Sequence, residues 1–168
     1  LQILKIYRIQ KKYRQASKKI KSMLTDDKFK SISGNLELEL VQLYRAQGDQ
    51  SEIEARLETI VNNYQKTSVS AEAYFQLGQI YSSEKWNLIK AKEYFEQVNK
   101  EFSRSLFGPM AKGRIEAIKL YNSTKLDLET TIENLSAKIS PMDTTKVKVV
   151  GMSSKIISEK KTIPELYY

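Results

Sequence analysis

The stretch of residues 74–95 constrains the fold of this chain more than any other part of the sequence. Within it, Tyr74, Leu77 and Tyr81 are spaced three and then four positions apart, which places them on one face of a helix. Gly78 lies in the middle of that pattern, where glycine costs about 1 kcal/mol relative to alanine. The missing side chain therefore predicts a second helix that crosses very close to this one.

The end of the same stretch supplies that second helix. Ala91 and Phe95 are four positions apart, so they also share a helical face. We expect Ala91 to be the small residue at the crossing and Phe95 to fill the space beside it. Residues 82–90, between the two helices, are predicted to form the turn of a helical hairpin.

The pattern recurs along the chain at a constant spacing. The marker residues of the first helices follow one another by 37 positions each, and they are Tyr7, Tyr44, Tyr81 and Ile118. In the second helices, Ile20 and Leu57 are also 37 positions apart. The alternative is a chance periodicity of aromatic residues in a helical protein, but the spacing together with the Leu-Gly and Ala/Phe pairs favours a repeat.

This arrangement resembles the tetratricopeptide repeat, whose pattern is W-x-x-L-G-x-x-Y, then A-x-x-x-F, then P. Tyr74 stands in the place of the tryptophan, Ser103 stands near the expected proline, and Ala91 comes one residue later than usual. The resemblance implies an all-α fold, a right-handed α-solenoid of about three to four helical hairpins.

A second resemblance covers residues 91–115, which are similar to the repeats of bacterial cell-envelope proteins. Those proteins include the lipoprotein component of the outer-membrane assembly machine and the Tol–Pal coordinator. The shared features are a Tyr-Phe pair, a Ser-rich link and an Ala-x-x-Arg-Ile helix. The resemblance implies a place in the periplasm or at the outer-membrane periphery, and a cytoplasmic location stays open.

We predict a repeat domain over residues 1–139. Pro109 suits the first turn of a fourth first-helix, with Ile118 on its inner face. A further helix is predicted over residues 125–139, since its apolar residues are spaced four, three and four positions apart, at Leu128, Ile132, Leu135 and Ile139. That helix is either the partner of the fourth first-helix or a cap for the array.

Residues 140–168 are predicted to be a linker or an extended C-terminal arm. Ser140-Pro141 breaks the helical pattern, and residues 146–150 alternate briefly like a strand that has no sheet to join. The final five residues, 164–168, look like the opening of another repeat. Because the sequence also begins inside a helical pattern, we expect a longer parent chain.

The composition argues against catalysis. The sequence contains no cysteine and no histidine, which excludes disulfides, zinc-thiolate sites and histidine bases. Glu54 and Glu58 are interpreted as a solvated helix face, and no phosphate-binding glycine loop or metal-ligand spacing occurs. No apolar run reaches the roughly 18 residues of a membrane span. We therefore expect no enzyme activity and no cofactor.

The net charge of +8 is unevenly distributed. Residues 1–24 hold eight lysines and arginines and no acid, whereas residues 35–101 hold seven basic and eleven acidic residues. The basic helices are interpreted either as a solvated outer face or as a surface for nucleic acid or an anionic membrane. The acidic middle argues against a uniformly basic nucleic-acid binder.

The resemblance to the repeat family also implies a partner-binding groove along the first helices. Counted from the Tyr81 position of each repeat, the groove residues are Lys5, Arg8, Leu38, Gln42, Arg45, Phe75, Gln79, Ser82, Lys112, Glu116 and Lys119. Such a groove suits a protein partner or an extended peptide with acidic groups. The alternative is a structural segment of a longer repeat protein with no ligand of its own, and exposed array ends would favour homo-oligomers.

Trp86 has two interpretations. It lies in the predicted turn among charged residues, where it is either an exposed contact for a partner or a cover that packs on Tyr81 or Ile89. We favour the cover.

Overall fold

A computed structural model describes residues 1–138 of the chain, and every regular element in that range is helical. The predicted all-α class is confirmed for these residues. The helices are α1 (Gln2–Ile9), α2 (Tyr13–Leu24), α3 (Ser33–Gln47), α4 (Gln50–Asn63), α5 (Ser68–Gln79), α6 (Leu88–Glu101) and α7 (Gly108–Lys138). The arm predicted at 140–168, and Ile139, lie outside the described residues.

Short connections link the helices into hairpins. A 3-10 turn, Asp27–Ile32, joins α2 to α3, and a π-helical turn, Ile80–Glu84, continues α5. Between α3 and α4, Gly48 has a left-handed φ of 76° and Asp49 accepts a hydrogen bond from the Glu52 backbone at its side chain. Helices that pack together across such short links are antiparallel neighbours.

The first five packed pairs follow chain order, from α1 with α2 to α5 with α6. In addition, α3 contacts both α1 and α5, so the odd-numbered helices in this part of the chain lie side by side. The chain divides into a unit of residues 1–118 and a unit from residue 119 onward, and the packing described here belongs to the first of these units.

Two apolar clusters form the core of the first unit. One is centred on α1, α2 and α3 and contains Leu4, Ile20 and Leu36. The other is centred on α4, α5 and α6 and contains Leu57 and Phe95. Tyr44, near the end of α3, packs against both clusters and so connects them.

The predicted crossing at Gly78 is confirmed. A Cβ atom at position 78 would lie 2.5 Å from the ring of Phe95, so glycine is needed there for the ring to fit. Ala91, one turn before Phe95, is fully buried. The space beside Gly78 is therefore occupied by an aromatic side chain of the partner helix.

Residues 125–138 are helical, as predicted, but they do not form a helix of their own. One continuous helix, α7, runs from Gly108 to Lys138. The sequence between Ile118 and Lys125 contains no glycine or proline that would end a helix, and the Ser123 hydroxyl bonds back to the Leu120 carbonyl at 2.9 Å. Residues 125–138 therefore continue the helix that begins at Gly108.

Candidate functional site

Two of the predicted groove residues belong to the core. Leu38 is 7% exposed and Phe75 is 3% exposed. The centroid of the Phe75 ring lies 5.6 Å from that of Phe95 and 5.2 Å from that of Phe107, so it packs among aromatic neighbours. The prediction that these two side chains face a ligand groove is wrong, because burying their apolar surface stabilises the helix packing instead.

The other predicted groove residues retain solvent access. Exposed residues are Lys5, Arg45, Lys112, Glu116 and Lys119, and half-buried ones are Arg8, Gln42, Gln79 and Ser82. The Ser82 hydroxyl donates to the Gln79 carbonyl at 3.0 Å, so these two residues are brought together locally. No hydrogen bond or ion pair in the described part of the chain joins the whole set into one surface, and a ligand role for them stays a prediction.

A polar row crosses from α3 to α5. The Arg45 guanidinium donates to Gln76 Oε1 at 3.0 Å, and Gln76 Nε2 donates to Glu72 Oε1 at 3.1 Å. Gln76 is buried, so both of its hydrogen bonds are partly shielded from water. We call Arg45, Gln76 and Glu72 the α3/α5 row. Because its amide is fixed at both ends, Gln76 holds the Glu72 carboxylate in a defined orientation.

The electrostatics of Glu72 favour a cation beside it. Burial raises the pKa of the Glu72 carboxyl, the hydrogen bond from Gln76 opposes this rise, and the negative charge of Glu39 adds to it. Two carboxyl groups thus lie near each other on adjacent helices. A positively charged ligand group placed here would stabilise the ionised form of Glu72.

An open cleft of about 250 Å³ adjoins this row. Glu72 lies on its wall, with Arg104 on the loop between α6 and α7. The side chain of Leu106 is 88% exposed, so it presents apolar surface beside the cleft. The lining residues are Asn35, Ser68, Val69, Glu72, Phe102, Arg104, Ser105, Leu106 and Phe107. The cleft therefore combines an anion, a cation and an apolar surface.

A second cleft, of about 610 Å³, lies between α2 and the end of α3. Its lining residues are Tyr13, Arg14, Ser17, Lys18, Lys21, Tyr44 and Gln47. Three of them are cationic and none is acidic. We call this the basic cleft. The basic cleft places part of the positive charge of residues 1–24 on one face of α2.

A polar network around Tyr81 was not predicted from the sequence. The Tyr81 hydroxyl donates to Glu54 Oε1 at 2.6 Å, and it accepts from Lys90 Nζ at 2.8 Å. Lys85 Nζ also donates to Glu54 Oε1, at 2.6 Å. The interpretation of Glu54 as part of a solvated face is wrong, since its carboxylate is half-buried and bonded to two partners. This network connects α4 to α6 through the Tyr81 hydroxyl.

The turn residue Trp86 is exposed. Its side chain is 56% accessible and its backbone has a φ of 52°, a left-handed conformation that is uncommon outside glycine. Ile89 is also exposed. The interpretation of Trp86 as a cover over the end of the hairpin is therefore wrong, and its indole is accessible to a partner.

Residues 1–138 show neither a metal site nor a membrane span. That range contains no group of three or more acidic side chains arranged to hold a metal ion. None of its helices is both long and apolar enough to cross a membrane. Comparison with protein-family models, with curated proteins and with solved structures found no match for this chain.

Proposed function

We propose that this chain is a non-catalytic protein-interaction module, built of tetratricopeptide-like hairpins, that binds an extended peptide at the α3/α5 row. The 37-residue spacing and the Gly78–Phe95 packing support the repeat interpretation. The lateral contact of α3 with α1 and α5 supports a solenoid-like stack, in which the first helices of successive hairpins lie next to each other.

The observation that carries the proposal is the hydrogen-bonded row Arg45–Gln76–Glu72. A buried amide that bridges two helices costs free energy to dehydrate, and its hydrogen bonds offset that cost. Two charged groups of the row remain accessible. They are the Arg45 guanidinium at one end and the Glu72 carboxylate, in the cleft, at the other. This arrangement is suited to a peptide that carries charged side chains of both signs.

The cleft determines which peptide fits. A lysine or arginine of the peptide would pair with Glu72, and a carboxylate would pair with Arg45 or Arg104. An apolar side chain between them would rest on Leu106. The sequence predicts a partner that carries acidic groups. The cleft adds the requirement that this partner also carries a basic residue. On the resemblance of residues 91–115, we place this module in a bacterial cell-envelope assembly.

Selection of binders from a random peptide library by the purified chain tests the proposal. The best peptide is then titrated by calorimetry against Glu72→Gln and Arg45→Gln, each of which removes one charge of the row. We expect each variant to weaken binding by about 10-fold, the cost of one charge-assisted hydrogen bond.

Glu96→Gln is the matched control for these variants. Glu96 is exposed on α6, and its ion pair with Lys92 at 3.7 Å is a local i,i+4 contact. Equal affinity of all three variants for the selected peptide would contradict binding at the α3/α5 row. Failure to select any peptide would favour the structural-segment alternative.

A second candidate function is binding of nucleic acid or an anionic membrane through the N-terminal helices. The observation that favours it is the basic cleft, with Arg14, Lys18 and Lys21 and no acidic lining residue. Binding of single-stranded DNA, or of vesicles that contain anionic lipid, would then weaken steeply with salt. We expect the double variant Lys18→Gln/Lys21→Gln to lose this binding and to keep that of the selected peptide.

A further inference from the structure

The second part of α7 carries apolar side chains that nothing covers among the described residues. Every side chain from Lys119 to Lys138 is exposed. Tyr121, Leu128, Ile132 and Leu135 are between 43% and 56% accessible. A helix whose apolar residues all remain in water gains no tertiary packing, which is the main source of helix stability in proteins. A partner for this surface is therefore expected.

The shape of the surface restricts the kind of partner. The four residues are spaced seven, four and three positions apart, and at 100° per residue they fall within an arc of about 60°. Two further exposed leucines, Leu120 and Leu126, lie outside that arc. A helix that faces a globular core has a stripe of about 100° or more, whereas a coiled-coil seam is narrower. We call Tyr121, Leu128, Ile132 and Leu135 the α7 seam. It fits one other helix better than a flat protein surface.

We propose that the α7 seam binds a second copy of the same helix as a parallel two-stranded coiled coil. In heptad terms, Tyr121, Leu128 and Leu135 occupy d positions and Ile132 occupies an a position. In parallel coiled coils, isoleucine at a with leucine at d favours two strands. Lys125 falls at the preceding a position, where a single polar residue specifies register.

The charges flanking the seam are compatible with self-pairing. In a parallel pair, each g position faces the e position five residues later on the other strand. These pairs are Thr124 with Glu129 and Thr131 with Ser136, so no like charges meet at the e and g positions. At the a position, Lys125 faces Lys125 of the second copy. Lys125 already has an anionic neighbour on its own helix, because its Nζ lies 3.7 Å from Glu129 Oε1. In each copy, Glu129 therefore offsets part of the charge that Lys125 presents to the facing lysine.

Cysteine cross-linking of the full chain tests both the partner and its direction. The sequence contains no cysteine, so a single introduced thiol reports on one position only. Leu128→Cys places a thiol in the seam, where the two strands of a parallel dimer bring equivalent Cβ atoms close enough for a disulfide. Thr130→Cys, on the opposite face of the helix, is the matched control. We expect mild oxidation to give covalent dimers with Leu128→Cys and not with Thr130→Cys.

Sedimentation measurements on the cysteine-free chain provide the second readout. Leu128→Gln/Leu135→Gln should raise the dimer dissociation constant by about 100-fold, since each lost leucine contact costs about 10-fold. Leu126→Gln, an exposed leucine outside the seam, should leave it unchanged. A monomer at every concentration, or a dimer in which both thiols cross-link equally, would overturn the proposal. A dimer that Leu128→Cys fails to trap would overturn the parallel arrangement.

Discussion

Helix α5 and the second part of α7 are both well-formed helices, but they hold their apolar residues in opposite environments. In α5, Leu77 and Phe75 are buried, and Thr67 and Ser70 form a capping box at the N-terminus. In α7, Leu128 and Leu135 are exposed. Helical structure alone therefore does not show whether a helix contributes to the packing of the core. Packing within the chain stabilises α5, whereas α7 has surface available for an external partner.

The largest expected effect is the loss of the Phe95 ring. We expect Phe95→Ala to lower the free energy of unfolding by about 3–5 kcal/mol, because it removes a buried aromatic ring from the crossing with Gly78. Leu126→Ala, on the exposed part of α7 but outside the α7 seam, should change it by less than about 0.5 kcal/mol. Urea denaturation followed by far-ultraviolet circular dichroism measures both. Similar losses for the two variants would contradict the contrast between the helices.

Replacing glycine by alanine should change the free energy of unfolding in opposite directions in the two helices. Gly78→Ala introduces a Cβ 2.5 Å from the Phe95 ring, so we expect a loss of about 1–3 kcal/mol despite the higher helix propensity of alanine. A Cβ at Gly113 in α7 would meet nothing within 4 Å. Gly113→Ala should therefore gain up to about 1 kcal/mol. Thermal unfolding of the pair checks this, and a gain for Gly78→Ala would show that the crossing is loose.

Glu54 should give the packed region a distinct pH dependence. The hydrogen bond from Lys85, followed by that from Tyr81, lowers the pKa of the Glu54 carboxyl below its usual 4.5. Its stabilising contribution is thus complete above pH 4.5 and is lost as the pH falls through the folded pKa. We expect Glu54→Gln to cost about 1–2 kcal/mol at neutral pH, less than a fully buried hydrogen bond to a charge because solvent partly screens this carboxylate.

The matched control for Glu54→Gln is Glu129→Gln, which removes only an exposed ion pair of α7 and should change stability by less than about 0.5 kcal/mol. Unfolding is followed from neutral pH down to about pH 3, below the ordinary range of the carboxyl. The cost of Glu54→Gln should shrink as the pH falls. A cost that does not vary with pH would mean that the Glu54 carboxylate does not stabilise the fold through its charge.

Glu72→Gln should have the smallest effect on stability. It should stabilise the chain, whereas Glu54→Gln should destabilise it. Because burial raises its pKa, the folded chain loses stability as the pH rises through that pKa, and a neutral amide removes this penalty. We expect Glu72→Gln to raise stability at neutral pH by less than about 1 kcal/mol while it weakens peptide binding. Denaturation and calorimetry on the same sample compare the two. A variant that loses stability would indicate that Glu72 serves the fold and not a ligand.

The sequence predicted the local parts of this structure well. The positions of Gly78 and Phe95 correctly indicated a close helix crossing, since glycine within an apolar helical pattern is costly unless a neighbouring element needs its space. The orientation of neighbouring side chains was harder to predict. Phe75 was assigned to the groove because of its distance from Tyr81, yet the adjacent Gln76 makes the polar contact between α3 and α5. A shift of one position on a helix changes the direction of a side chain by 100°.

Long-range contacts could not be predicted from spacing. The Tyr81–Glu54 hydrogen bond joins residues 27 positions apart, and the Arg45–Gln76 bond joins residues 31 positions apart. Both depend on how the helices pack against one another, which a single sequence does not specify. The continuity of α7 was missed for a related reason. A run of apolar residues at helical spacing indicates a helix. It does not show whether the surface that this helix packs against belongs to the same chain.

The exposed indole of Trp86 determines what the tryptophan fluorescence of this chain can report. It is the only tryptophan in the sequence. Because this side chain is already largely in water in the folded state, its fluorescence emission should shift little on unfolding, so tryptophan emission is a poor measure of stability here. For the same reason, a blue shift on addition of a partner would show that the partner covers the turn between α5 and α6.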